Sequence, residues 1–228
     1  GERLGYLNGG FHQVISALES SITAKGGRIQ KQVPATSLEK QGNGWILNGM
    51  HFDAVISTIP PHELERMGGP ALPHIPYQGA ACMTLALDRQ VTEGIYWLNM
   101  KESAPYGAVV SHTNFIPQER YGEHIVYLAS YFSGTVPHQL DERMIADFCR
   151  RFAVPEREIH WHRMAVDPWA GPVYTVGYRN LLPAYEQDGL FMAGMFSKTN
   201  YPERSMEGSV RAGLEVAECI RRKIHGST

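Results

Sequence analysis

A chain of 228 residues, 43% of them hydrophobic, can bury a sizeable core as one large domain or two small ones. Acidic and basic residues nearly cancel to a formal charge of -2, with no basic run, so the electrostatic footprint of a nucleic-acid binder is missing. Cys82, Cys149 and Cys219 are far apart and odd in number, which points to reduced thiols and a cytoplasmic protein rather than a disulfide framework. No apolar run approaches the roughly 18 to 20 residues of a membrane helix. The start, Gly1-Glu2-Arg3, has neither the basic nor the apolar region of a signal peptide and reads as the edge of a longer polypeptide.

In chain order, Asn8-Gly9-Gly10 precedes Phe11, Val14, Ile15, Leu18 and Ile22 at helical spacing, and Gly26-Gly27 supplies the stop. This predicts an amphipathic helix whose stripe is core. Extended runs follow over 28–33, 36–40 and 45–47, with Gln41-Gly42-Asn43-Gly44 as a hairpin turn, and 53–58 reads as a buried strand stopped by Ile59-Pro60-Pro61. Ala81 to Leu87 alternates Met83, Leu85 and Leu87 with smaller residues, as a half-buried strand does. Runs rich in aromatic and β-branched residues over 96–100, 107–112 and 125–131 predict further strands of a largely antiparallel sheet. Leu140, Met144, Ile145, Phe148 and Phe152 mark a helix, and 158–165 returns to an extended pattern. A last strand over 189–194 leads through a polar loop to a helix over 206–224, with Val210, Leu214, Ala217 and Ile224 spaced for one buried face. The fold class this sums to is α+β.

Gly208, Ala212 and Gly213 near the start of that last helix allow close approach to the backbone, where unpaired N–H groups and a partial positive charge meet an electron-rich ligand. His160 and His162 share a strand face at period two, and with His112 they are the residues to weigh for a metal pair. No HExxH accompanies them, and hydrogen-bonded packing beside Trp161 and Trp169 is the plainer reading. No Ser-His-Asp, Cys-His or paired-carboxylate arrangement stands out.

Leu7-Asn8-Gly9-Gly10, then Val33, Asp53-Ala-Val-Ile-Ser-Thr-Ile-Pro60, Gly189-Leu-Phe-Met-Ala-Gly194, and Tyr201-Pro202 before Ser205-Met-Glu-Gly-Ser-Val-Arg-Ala-Gly213 occur in an order that resembles a known superfamily. It is that of the flavin amine oxidases, protoporphyrinogen oxidases and phytoene desaturases, with UDP-galactopyranose mutase as a more distant relative. The resemblance implies an FAD-binding part over 1–66, a substrate-binding cap over 67–183 and a return to the FAD-binding part over 184–228. It implies oxidation of a C–N or C–C bond in a small-molecule substrate by hydride transfer to FAD. Two alternatives accompany it: a redox-neutral nucleotide-sugar mutase, and a non-catalytic binding domain that has lost FAD.

The resemblance assigns cofactor contacts to Val33, Thr58, Pro60, Gly194, Met195, Ser205, Met206 and Ser209, and substrate-side positions to Gly9, Gly10 and Tyr201. Two departures stand against it. Met195 replaces the family's usual acidic residue, removing a hydrogen bond to the cofactor. The strand–GxGxxG–helix that holds the pyrophosphate has no counterpart in these residues. The expectation is therefore an upstream Rossmann segment in the same polypeptide, with little FAD held, and little activity, by this chain alone.

Overall fold

The computed structural model describes the backbone of residues 5–225 and the side chains of residues 5–223, so the Gly1-Glu2-Arg3 start and the side chain of Ile224 lie outside the described residues. The chain divides into two compact units, residues 1–35 and 36–228.

In the first unit, helix α1 (His12–Ala24) forms where the spacing predicts it. Its end is closed by Gly26 N–H on the Thr23 carbonyl and Gly27 N–H on that of Ile22, the paired bonds of a Schellman stop. The stripe, however, is not core: α1 buries no residue, and Phe11, Ile15, Leu18 and Ile22 are exposed. The strand expected over 28–33 is also absent. Among the described residues that stretch makes no ladder with another strand, Gln32 turns to φ 60°, and Val33 is 56% exposed. Extended propensity without a pairing partner leaves the backbone groups to water.

The second unit opens with a three-stranded antiparallel meander, β1 (Leu38–Gln41), β2 (Gly44–Leu47) and β3 (Met50–Phe52). Pairing of Gln41 with Gly44 leaves Gly42-Asn43 as the expected turn. Leu47 pairs with Met50 across Asn48-Gly49, at φ 49° and 78°. Positive φ at both central positions is the turn that matches strand twist, and Asn-Gly is the pair that adopts it most readily.

Strand β4 (Val55–Ser57) runs parallel to β11 (Leu190–Met192), which pairs antiparallel with β10 (Glu186–Gln187). Only Ser57 of β4 is buried, while Ile56 is exposed on this edge strand, so the buried strand expected over 53–58 is a half-covered edge. Pro61 then opens helix α2 (Pro61–Arg66), where the fixed φ and missing N–H of proline cost nothing.

Between α2 and β10 the chain inserts a five-stranded antiparallel sheet. Its order is β6 (Trp97–Asn99), β7 (Ala108–Ser111), β8 (His124–Phe132), β5 (Tyr77–Leu87) and β9 (Ile159–Pro172). Met83, Leu85 and Leu87 of β5 point to one face with Val126 and Leu128, as the alternation predicts. Helix α3 (Leu140–Phe152) lays Leu140, Met144 and Phe148 onto that face, with Ile145 and Phe152 at its margin. Edge position lets β9 carry Pro168 and Pro172, which a central strand would not tolerate.

Helix α4 (Met206–His225) matches its expected span but not its expected face. Gly208, Ala212 and Val216 are buried, Ala212 and Val216 packing with Phe191 and Ala193 of the parallel strand region. Val210 and Leu214 are 61% and 66% exposed, and Ala217 is exposed with them.

Candidate functional site at the carboxyl ends of two parallel strands

Parallel strands deliver their carboxyl ends to one side, and the crevice beyond those ends is where ligands settle in open sheets. Here that crevice follows β4 and β11. Thr58, Ile59 and Pro60 leave β4, Met195 and Phe196 follow β11, and together with Tyr77, Asp167 and Trp169 they line a cavity of about 260 Å³. Sequence distance between its two halves is closed by the parallel register Ser57 with Met192 and by Ala193 N–H on the Ser57 carbonyl, 3.0 Å.

The third wall comes from an irregularity in the antiparallel sheet. Asp167 pairs with Ala80 and Gly171 with Gln78, so Pro168, Trp169 and Ala170 face a single residue, Gly79, across the ladder. The extra backbone forms a bulge, a device that re-aims side chains. Asp167 Oδ1 accepts the Trp169 N–H at 2.8 Å and closes it. Trp169 is thereby packed edge-on against His62 of α2, ring centroids 4.2 Å apart, and against Tyr77 at 6.3 Å. Burial lowers the pKa of His62, holding the imidazole neutral, and pushes the Tyr77 phenol well up. His62 Nε2 comes within 3.5 Å of Glu63 Oε1 but makes no hydrogen bond among the described residues. The cavity is therefore apolar and aromatic, with the Asp167 carboxylate among its lining groups.

A second structure stands behind it. Asn200, fully buried, ties the loop after β11 to the start of α4. Its Nδ2 donates to the Gly194 carbonyl at 3.1 Å and to Ser209 Oγ at 3.3 Å, and its Oδ1 accepts the Ser205 N–H at 3.1 Å. Ser197 Oγ accepts the Gly194 N–H, Ser205 Oγ accepts the Gly208 N–H, and the Thr199 hydroxyl donates to the Gly208 carbonyl. A β-carbon on Gly208 would stand 2.4 Å from Asn200 Oδ1 and 2.7 Å from the Thr199 carbonyl. Glycine here serves loop-on-helix contact, so the small residue read as room for a ligand is already filled by this chain.

Of the residues named from sequence, Thr58, Pro60 and Met195 meet in the cavity. Gly194, Ser205 and Ser209 meet on Asn200. Met206 is exposed at the start of α4. Tyr201 lies in a tyrosine cluster, stacked on Tyr178 at 5.7 Å and edge-on to Tyr174 at 5.5 Å, with Arg179 over its ring. Gly9, Gly10 and Val33 belong to the first unit: the glycines turn the chain into α1, and Val33 sits in irregular backbone instead of a strand.

Sequence reasoning missed Tyr77, Asp167, Trp169, Phe196 and Asn200. The Asp167-Pro168 pair was the available signal, since it favours a turn, and it marks the bulge. His160 donates to two carboxylates, Asp88 and Glu123, each at 2.8 Å, and Glu123 also accepts the Trp161 indole N–H. Among the described residues no group of three or more His, Cys, Asp or Glu side chains is arranged to hold a metal, and no helix is long and apolar enough to cross a membrane.

A two-stranded parallel seam, interrupted by an antiparallel sheet and carrying a cavity at its carboxyl ends, defines an α+β architecture with an inserted sheet. The chain belongs to the flavin containing amine oxidoreductases, whose family model matches residues 1–221. Reduced UDP-galactopyranose mutase shares its fold at a TM-score of 0.75 and 18% identity, over 97% of this chain and 52% of that one. A protein of Exiguobacterium sp. 255-15, assigned provisionally as a protoporphyrinogen oxidase, aligns at 0.71 and 16%, over 92% and 51%. Cyclohexylamine oxidase from Brevibacterium oxydans IH-35A aligns at 0.63 and 14%, over 95% and 53%. At such identities the likeness is one of fold, and the chain spans about half the length of these structures. No curated protein sequence matches it significantly.

Proposed function

We propose that this chain supplies the substrate-side sheet and the C-terminal flavin-contacting elements of an FAD-dependent oxidoreductase that takes hydride from a C–N or C–C bond of a small molecule. The observation that carries the reading is the cavity where the ends of β4 and β11 meet the bulge of β9. Its flat aromatic and apolar walls, Trp169, Tyr77, Pro60, Met195 and Phe196, fit the ring part of a flavin. At about 260 Å³ it is smaller than the roughly 300 to 1,000 Å³ of whole ligand pockets, so it accommodates a ring system and not an entire dinucleotide.

When bound, FAD supplies the redox step, its ring accepting hydride. The chain's own residues position and shield. Pro60, Met195 and Phe196 keep water from one side, Trp169 is held by neutral His62, and the Asn200 knot fixes the first turn of α4, whose Met206 and Glu207 N–H groups point ahead of the helix.

The same reading assigns residues 1–66 and 184–228 to the cofactor domain and 67–183 to the cap, and places the pyrophosphate-binding element in a Rossmann segment upstream in the parent polypeptide. Residues 1–228 alone then hold FAD weakly and turn over no substrate. If the parent polypeptide, purified, shows no flavin absorbance and takes up no added FAD, the reading fails. Offering UDP-sugars to the dithionite-reduced parent separates oxidase from mutase chemistry.

A further inference from the structure

Away from the β4–β11 crevice, a larger cavity of about 720 Å³ is bordered by Lys40, Gly42, Asn43 and Trp45 of the β1–β2 hairpin, Gly68, Gly69 and Pro70 after α2, Asp188, and Lys223 of α4. Trp45 is only 4% exposed, yet its indole N–H has no hydrogen-bond partner among the described residues. A buried donor left unpaired is costly, so indole nitrogens in such places ordinarily have an acceptor.

Further donors gather beside Gly189. The point where a β-carbon on Gly189 would stand has three nearest heavy-atom neighbours, and all are nitrogen donors: Lys40 Nζ at 3.7 Å, Lys223 Nζ at 3.8 Å and Trp45 Nε1 at 3.8 Å. Two ammonium groups beside an unpaired indole N–H make a cluster of donors with N–H bonds to spare for an acceptor. Both lysines are steered from within the chain. Lys40 donates to the Asp188 carbonyl and lies over the Trp45 ring, while Lys223 pairs with Glu186 and lies over the Phe191 ring. With Glu186 on Lys223 and Asp188 at the border, the two ammoniums are balanced in charge, so what the cavity offers a compact oxyanion is directed N–H donors.

We propose that this cavity is an anion site that takes a phosphate group, free or on a phosphorylated small molecule, through the Trp45 indole N–H and the Lys40 and Lys223 ammoniums. The glycine at position 189 keeps the meeting point open: at φ 82° it holds a conformation that side chains resist, and any side chain would stand among the three donors. The site is distinct from the β4–β11 crevice, because the two cavities share no lining residue.

The test follows the four tryptophan indole signals of the ¹⁵N-labelled chain while inorganic phosphate is titrated at constant ionic strength. The Trp45 signal, assigned by triple-resonance spectra and checked with Trp45→Phe, shifts saturably while those of Trp97, Trp161 and Trp169 stay in place. Lys40→Met and Lys223→Met each weaken the apparent affinity about tenfold, the size expected for losing one charge-assisted bond, with unchanged melting curves showing that both variants fold. Acetate is the comparison arm: a shift with phosphate alone fixes the phosphate class, and an equal or stronger response to acetate overturns it. A non-saturating drift, a common drift of all four signals, or a saturable shift that survives in both lysine variants also overturns the proposal.

Discussion

Helices α3 and α4 were both legible as amphipathic helices, yet one buries the face its spacing predicts and the other turns that face outward. In α3 every large apolar residue lies on one stripe, and the stripe closes on β5 and β8 of the same chain. In α4 two stripes run on nearly opposite sides. Gly208, Ala212 and Val216 pack inward, and Met206, Val210 and Leu214 remain exposed. Small residues win the inward side because α4 must press against the loop that Asn200 organises, where a β-carbon at position 208 already clashes. A helix apolar on two sides is built to be covered on two sides. Periodicity reports that a helix is amphipathic; it does not say which of two stripes this chain itself covers.

That contrast can be broken at its strong end first. Phe148→Ala empties the middle of the α3 contact and is expected to cost about 3 to 5 kcal/mol, read as a fall in urea midpoint at unchanged slope. Next, Asn200→Ala strands the Gly194 carbonyl and the Ser205 N–H, and a loss of about 2 to 3 kcal/mol is expected. Amide exchange should speed up over 194–209 and not in α3; equal acceleration in both helices would sink the idea that Asn200 acts locally.

The exposed stripe predicts the opposite. Leu214→Ser should change the stability of the 228-residue chain by no more than about 0.5 kcal/mol, since little burial is lost. In the longer polypeptide proposed above, a covered stripe predicts that the same change lowers the melting temperature. Unchanged melting in both proteins would mean that α4 has no second partner.

The smallest effect belongs to the exposed His160 cluster. Its bond to Glu123, with Asp88 adding to it, raises the His160 pKa above 6.5, so the stabilisation is complete below that value and is lost as pH rises through the raised one. Glu123 behaves inversely: its pKa is lowered by His160 and Trp161, and its share is lost as pH falls through that lowered value. Melting temperature should therefore decline slightly from about pH 6 to pH 9 in the native chain. In His160→Gln that slope should flatten.

Much of the architecture was readable because it is encoded locally. The helices α1, α3 and α4, the first hairpin and the alternation of β5 all stand where periodicity and turn residues put them. What could not be read depends on partners distant in sequence. The stretch 28–33 had strand propensity but found no neighbouring strand. β3 and β10 are too short to show alternation, although Asn48-Gly49 announced the turn before β3. The candidate site was half legible: Thr58, Pro60 and Met195 came from the motif order, while Trp169 and Asp167 depend on a register slip against Gly79 that a single strand's sequence does not display.

The parallel seam also sets a timetable. Val55 of β4 pairs with Leu190, and residues 58–189 separate the two strands along the chain. A protein made from its N-terminus therefore carries β4 without its partner through the synthesis of the whole antiparallel sheet and α3. The insertion, rich in neighbouring hairpins and with its own buried centre, can close while that strand waits. The crevice beyond β4 can thus close only after the whole inserted sheet has been made, because its second half arrives with β11.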